Sequence, residues 1–345
     1  MTTTAPAASR TARWPRALWL VGGVLLATML FHAGALLVTG DPVTGPVSLR
    51  KPATFAETGW LLCWSVALLL PALDLRGWTR HAVAGATVLF ALGETSIMAV
   101  QAWRGVPSHY NFSTPLDVAL MRGGAAGTAA VFVLAVLILL VATARAPIPA
   151  DVRVGVLTGG LALLVGCTVG LIMIFNNSGV FQGTLGVGFG RTGGYLGPAP
   201  ATVGPEYLLL RPATQGGDLV APHAIGVHGL TLLAVPAVLL ARTGRPPRQR
   251  LWITGSAAAA VVVALAVLLG HALRRLPLGE LSASALVTLA LCAVVLVWSW
   301  TRLRRPGADV RDPQYQSGRM SRVVRSRLSS SANCGPVRGS SYRKK

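Results

Sequence analysis

The sequence predicts an all-α polytopic transmembrane bundle of about eight spans with both termini cytoplasmic. Three observations carry this: the composition, the length of the apolar runs and the distribution of charge. Of 345 residues, 52% are hydrophobic and 12% charged, with a mean hydropathy of +0.58. That is more apolar and far less charged than a water-soluble domain, so the chain needs a lipid solvent. In hydrocarbon, only helices and closed barrels satisfy their own backbone groups, and a helix needs about 20 apolar residues to cross. The runs here are of helix length rather than short alternating strands, which excludes a barrel.

The eight runs are Ala17–Thr39, Phe55–Leu73, Ala82–Trp103, Val118–Thr143, Val154–Phe175, Ala221–Ala241, Trp252–Ala272 and Ser282–Trp300. They divide the chain into a basic amino-terminal segment (1–16), a transmembrane domain (17–300) and a basic tail (301–345). The first run follows Arg10, Arg13 and Arg16, yet it is longer than the roughly 7–15 apolar residues of a secretory signal, so it is read as a retained span. Trp60, Trp78, Trp103, Trp252, Trp298 and Trp300 sit near run ends, where an indole favours the membrane interface.

The net charge of +20 is concentrated outside the runs. From Arg302 onward, twelve basic residues face Asp309 and Asp312 alone, and this tail reads as disordered. With the amino terminus inside, the cytoplasmic side carries Arg10, Arg13, Arg16, Arg76, Arg80, Arg145, Arg153, Arg242, Arg245, Arg248, Arg250 and the tail. The other side carries Arg50, Lys51, Arg104, Arg191, Arg211, Arg274 and Arg275. This asymmetry places both termini inside. The expected partners of the basic loops and tail are anionic lipid heads rather than a specific nucleic acid.

The connection from Asn176 to Val220 is then extracytoplasmic, rich in Gly and Pro, and reads as a cap over the bundle or a flexible linker. No internal repeat is evident. Cys63, Cys167 and Cys292 fall inside runs and Cys334 in the tail, a pattern of packing residues rather than a disulfide or zinc framework. HExxH, GxxxxGK[ST] and paired CxxC motifs are absent from the sequence.

An ionisable residue inside a span costs energy and marks a functional candidate. Glu94 lies nine residues before Trp103, a depth of roughly 14 Å, and Thr87, Glu94 and Gln101 share one helix face by their spacing of seven. His32 and His228 fall at about 10–12 Å from the same membrane face, so the three can meet if their helices adjoin. Nearer that surface are Arg104, His109, Asn111, Asp117, Arg122, Asn176, Asn177, Asp218, His223 and His271. Asp117 opens a span in "STPLD", where a carboxylate also suits the helix dipole.

The segments "KPATFAETGWLLCW", "GETSIMAVQAWRGVPSHYNFSTPLD" and "GGDLVAPHAIGVHGL" resemble a family of bacterial polytopic membrane proteins that has no established reaction. The likeness covers roughly residues 17 to 241. It implies a multi-pass protein of the bacterial cell membrane, with Lys51, Glu94, Gln101, Arg104, His109, Asn111, Asp117, Asp218, His223 and His228 at the shared positions.

The candidate polar site is therefore His32, Glu94, Gln101, Arg104, His109, Asn111, Asp117, Asp218, His223 and His228. Its best reading is extracytoplasmic binding of a small solute, proton or metal ion for transport or sensing. One alternative is a redox protein holding haem between His32 and His228, with Arg104 or Arg122 near the propionates. Another is an enzyme using His109, His223, Glu94 and Asp218 around a divalent metal. A purely structural role for the buried polar groups is the remaining possibility.

Overall fold

The computed structural model describes residues 13–40, 47–73, 75, 77–107, 111, 113–177, 194–196 and 216–304. Within them the chain is helical, apart from one short antiparallel pair, β1 (Tyr195–Leu196) with β2 (Gly217–Asp218). The helices are α1 (Arg13–Thr39), α2 (Arg50–Leu69), α3 (Gly77–Trp103), α4 (Pro115–Arg145), α5 (Ala150–Asn177), α6 (Val220–Val227), α7 (Leu230–Ala241), α8 (Pro247–Leu273) and α9 (Ala283–Thr301). Each of the eight apolar runs is thus helical. The expected basic tail beyond 304, most of the 176–220 connection and His109 lie outside the described residues.

Six helices are long and apolar enough to cross a membrane, namely α1, α3, α4, α5, α8 and α9, and the bent pair α6–α7 makes a seventh if it counts as one. The other expected crossing falls on α2. It is 20 residues long and is not among the six.

Local chemistry sets the ends. Thr114 caps α4, accepting from the Asp117 amide, with Pro115 pre-set for the first turn. Ser282 caps α9 in the same way through Ala285. At the end of α3, Val106 N–H reaches back to Gln101 C=O and Gly105 N–H to Ala102 C=O. Gly105 takes φ +68°, the left-handed conformation this closing turn requires.

Burial runs opposite to that of a water-soluble protein. α1 exposes Leu20, Val24, Leu30, Phe31, Leu37 and Val38, and α9 exposes Leu286, Val287, Leu291, Val294 and Val297. Meanwhile His32, Thr87, Glu94, Gln101 and Asp117 are buried. Apolar faces of this extent turn outward when the solvent is lipid.

Helices α1 to α4 pack in succession, and α5 seats α6, α7 and α8, with α9 on the far side of α8. One apolar core ties these groups together, from Leu25 of α1 through Val66, Ala91 and Phe132 to Leu163 of α5 and Leu230 of α7. A second, around Leu233, Ala257 and Val261, joins α7 to α8.

The run 221–241, expected as one continuous span, is broken. α6 ends at Val227 with His228 as its cap, and α6 and α7 meet at 45°. Two local causes act together. Pro236 has no N–H to donate to Leu232, which loosens the ladder just upstream, and Leu230–Ala234 takes the wider π-helical form. The break is also seated on glycine. A Cβ on Gly159 of α5 would lie 2.7 Å from the Gly229 carbonyl oxygen, and one on Gly166 would lie 2.6 Å from the Val227 nitrogen. Backbone meets backbone there, as small residues permit between membrane helices.

Candidate functional site

The residues singled out in the sequence fall into four local arrangements near one end of the bundle. The first joins the last turn of α3 to the start of α4. Asp117 Oδ1 accepts from Gln101 Nε2 at 2.9 Å and from Arg104 Nη1 at 2.7 Å, while Oδ2 accepts from Thr114 Oγ1 at 2.6 Å. The same Arg104 nitrogen donates to Gln101 Oε1. Asp117 is buried and the Arg104 side chain is one-third exposed, so the carboxylate is fully satisfied while the guanidinium keeps an outer edge in solvent. This is a closed knot that clamps two helix ends. Asn111 lies buried beside it in chain order and accepts from the Ser113 amide at 3.1 Å.

The second arrangement is Glu94, buried on α3, which accepts from Thr128 Oγ1 of α4 at 3.2 Å. Thr87, Glu94 and Gln101 are all buried, so the spacing of seven does mark an inward face. Thr128 gave no signal in the sequence, because a threonine inside an apolar run costs little and is common there. Both this contact and the Asp117 knot flank the π-helical stretch Ala119–Ala126 of α4. Such stretches recur at functional sites.

The third pairs α1 with α3. His32 is buried, with Nδ1 2.9 Å from the Thr28 carbonyl and Nε2 3.2 Å from Trp103 Nε1. Its partners are therefore Thr28 and Trp103, not Glu94 or His228. With both ring nitrogens engaged, His32 has no lone pair left for an iron, and the His32–His228 haem pairing finds no support in this geometry.

The fourth surrounds the α6–α7 break. His223 Nδ1 donates to the Gly166 carbonyl at 2.8 Å, which leaves Nε2 unspent, and His228 caps α6 at the break five residues further on. Just past it, Ser65 of α2 and Thr231 of α7 share a hydrogen bond of 2.8 Å. Since Ser65 already donates to Leu61 C=O, Thr231 is the donor.

Asp218, at the entrance to α6, accepts from the Val220 and Ala221 amides at 2.8 and 3.1 Å, so it serves as the cap of that helix. Asp218→Ala is expected to lower stability by about 1 kcal/mol, with Asp218→Asn close to wild type. Thermal unfolding in detergent checks this, and an alanine variant with an unchanged midpoint would remove the capping role.

His109 lies outside the described residues. Arg122 is exposed, Asn176 is buried, and His271 shares a hydrogen bond of 2.8 Å with the Pro277 carbonyl oxygen. Among the described residues, no group of three or more His, Cys, Asp or Glu side chains stands close enough to hold a metal ion.

At the opposite end, sequence reasoning missed an ion pair. Asp151, in the first turn of α5, accepts from Arg250 Nε at 2.9 Å and Nη2 at 3.4 Å, across to the first turn of α8. The available signal was the scarcity of acid on that side: before the tail, Asp74 and Asp151 are the only carboxylates in its basic loops.

Compared with known protein families, well-described proteins and solved structures, the chain matches none.

Proposed function

We propose that the protein crosses the membrane eight times, with both termini cytoplasmic and α2 and the α6–α7 pair each counted as a crossing, and that it transports protons. Loop charge supports the orientation. The first turns of α5 and α8 meet through Asp151 and Arg250, as two helices running the same way require.

The observation that carries the transport reading is the break at His228. Irregular backbone at membrane depth is tolerated where it is buried in protein or lines a wet cavity, and interrupted helices are a mark of transport sites. His228 stands at this break, His223 lies on the helix leading into it, and a buried carboxylate, Glu94, lies in the same bundle. Groups of these kinds exchange protons inside an otherwise apolar protein. The Arg104–Asp117 knot lies at the extracytoplasmic rim on this topology.

Reconstitution tests it directly. Purified protein is placed in liposomes with a pH-sensitive dye trapped inside, and a potassium diffusion potential is applied with valinomycin. Proton entry above that of protein-free vesicles is expected, reduced by about tenfold or more in Glu94→Gln and His228→Ala. No flux from the wild type, or equal flux from folded variants, removes the reading.

A further inference from the structure

We infer that His32 and Trp103 form an acid-sensitive latch between α1 and the last turn of α3, closed only while His32 is neutral and carries its proton on Nδ1. The assignment follows from what each partner is able to do. The Thr28 carbonyl oxygen accepts and never donates, so the contact of 2.9 Å requires a proton on Nδ1. The Trp103 indole N–H donates and never accepts, so the contact of 3.2 Å requires a bare lone pair on Nε2. One neutral tautomer satisfies both, and neither the other tautomer nor the imidazolium does.

A second proton on the ring would set an Nε2–H against the indole N–H, two donors with no acceptor between them. The Thr28 bond survives this change and the Trp103 bond does not. Trp103 is 56% exposed and has room to swing away, whereas His32 is buried and held by its own helix. Imidazole is the side chain that ordinarily changes charge near neutral pH, which makes it suited to such a switch.

The charged and titratable groups on the elements packed against α1 have other engagements or other places. On α2 these are Arg50, Lys51, Glu57 and Cys63, and on α3 and its closing turn Arg80, His81, Glu94 and Arg104. His81 stacks edge-on against Trp14 at the far end of α1, Glu94 faces Thr128 of α4, and Arg104 holds Gln101 and Asp117. The polar partners of the His32 ring are Thr28 and Trp103, and Phe31 packs edge-on against it.

What the latch controls follows from its position. Trp103 immediately precedes Arg104, and Gln101 lies two residues before it, so the side chains that clamp Asp117 belong to the turn that His32 pins. Opening the latch frees the α1 side of that turn while leaving the α4 side held by Asp117. The inference stands apart from the proposed proton transport, since it concerns a contact on the α1 side of α3 and is read without any flux.

The test is the indole spectrum of the full chain in detergent, labelled with nitrogen-15 at tryptophan and histidine. Nine tryptophans give nine indole signals, and Trp103→Phe identifies one of them by its loss. When a second proton enters the His32 ring, that signal is expected to move from a hydrogen-bonded to a free position. In His32→Gln it should stay put, because the glutamine amide offers both the donor and the acceptor and does not titrate. A signal that is stationary in the wild type, or that moves equally in His32→Gln, overturns the latch. Should His32→Gln fail to fold, the imidazole nitrogen shifts of the wild type decide: a neutral ring with its proton on Nε2 overturns the assignment, and one with its proton on Nδ1 supports it.

Discussion

Gly166→Leu is expected to cost about 3 kcal/mol and to deplete the folded protein recovered in detergent. A Cβ at Gly166 would sit 2.6 Å from Val227 N, 2.8 Å from Gly226 C and 3.0 Å from Gly226 Cα, all of them backbone atoms. No rotamer change relieves such a contact, so α6 would have to move off α5 bodily. That would carry His223 away from the Gly166 carbonyl and leave its Nδ1–H donor unpaired. A reciprocal clash holds from the other side, where a Cβ on Gly226 would meet Gly166 Cα at 2.6 Å. Gly255 of α8 is the control. A Cβ there would meet nothing within 4 Å, so Gly255→Ala is expected to be neutral or, through helix propensity, stabilising by about 0.5–1 kcal/mol. Thermal midpoints and the monodisperse fraction on size exclusion measure both. A Gly166→Leu chain as stable as wild type would show that the two helices are not seated on each other.

The contrast between these glycines explains what the sequence disclosed and what it kept back. The helices were legible because lipid imposes one requirement on a crossing, a long apolar run, and six of the eight runs form helices long and apolar enough to meet it on their own. The inward face of α3 was legible for a related reason: Glu94 and Gln101 are costly toward lipid, and the spacing of seven puts Thr87 on the same face. The break at His228 was not. Residues 221–241 read as one apolar run interrupted only by His223, His228 and Thr231, and Gly226 and Gly229 acquire meaning only against Gly159 and Gly166, some sixty to seventy positions earlier in the chain. Pairings fixed by tertiary contact were equally hidden. Depth placed His32, Glu94 and His228 at one level, but rotation about each helix axis decides partners, and it gives His32 to Trp103 and Glu94 to Thr128. Asp218 and Asp117 show a further limit. Both read as site residues from their chemistry, and their contacts, Asp218 with two amides at the start of α6 and Asp117 with donors from two helix ends, depend on where neighbouring groups point.

Asp151→Ala is expected to destabilise the protein by about 3 kcal/mol, more than the removal of either helix cap. The Arg250 side chain is 14% exposed and Asp151 2%, so deleting the carboxylate strands a largely buried guanidinium with two donors aimed at an empty place. Water screens little at such burial, and the loss is dominated by the charge left behind rather than by the attraction removed. Arg250→Ala is expected to cost less, because Asp151 remains in the first turn of α5, where the helix dipole favours a negative charge. The double variant Asp151→Leu with Arg250→Met discriminates between two roles for the pair. If the pair serves only to neutralise itself, apolar replacements of similar bulk restore stability to within about 1 kcal/mol of wild type. If it also fixes how α5 and α8 begin relative to one another, the double variant regains stability but loses proton flux in the liposome assay, because the glycine-lined face of α5 on which the α6–α7 break rests is then no longer held against α8. Additive losses in the double-mutant cycle, with no coupling between the two positions, would show that the ion pair contributes nothing to either end.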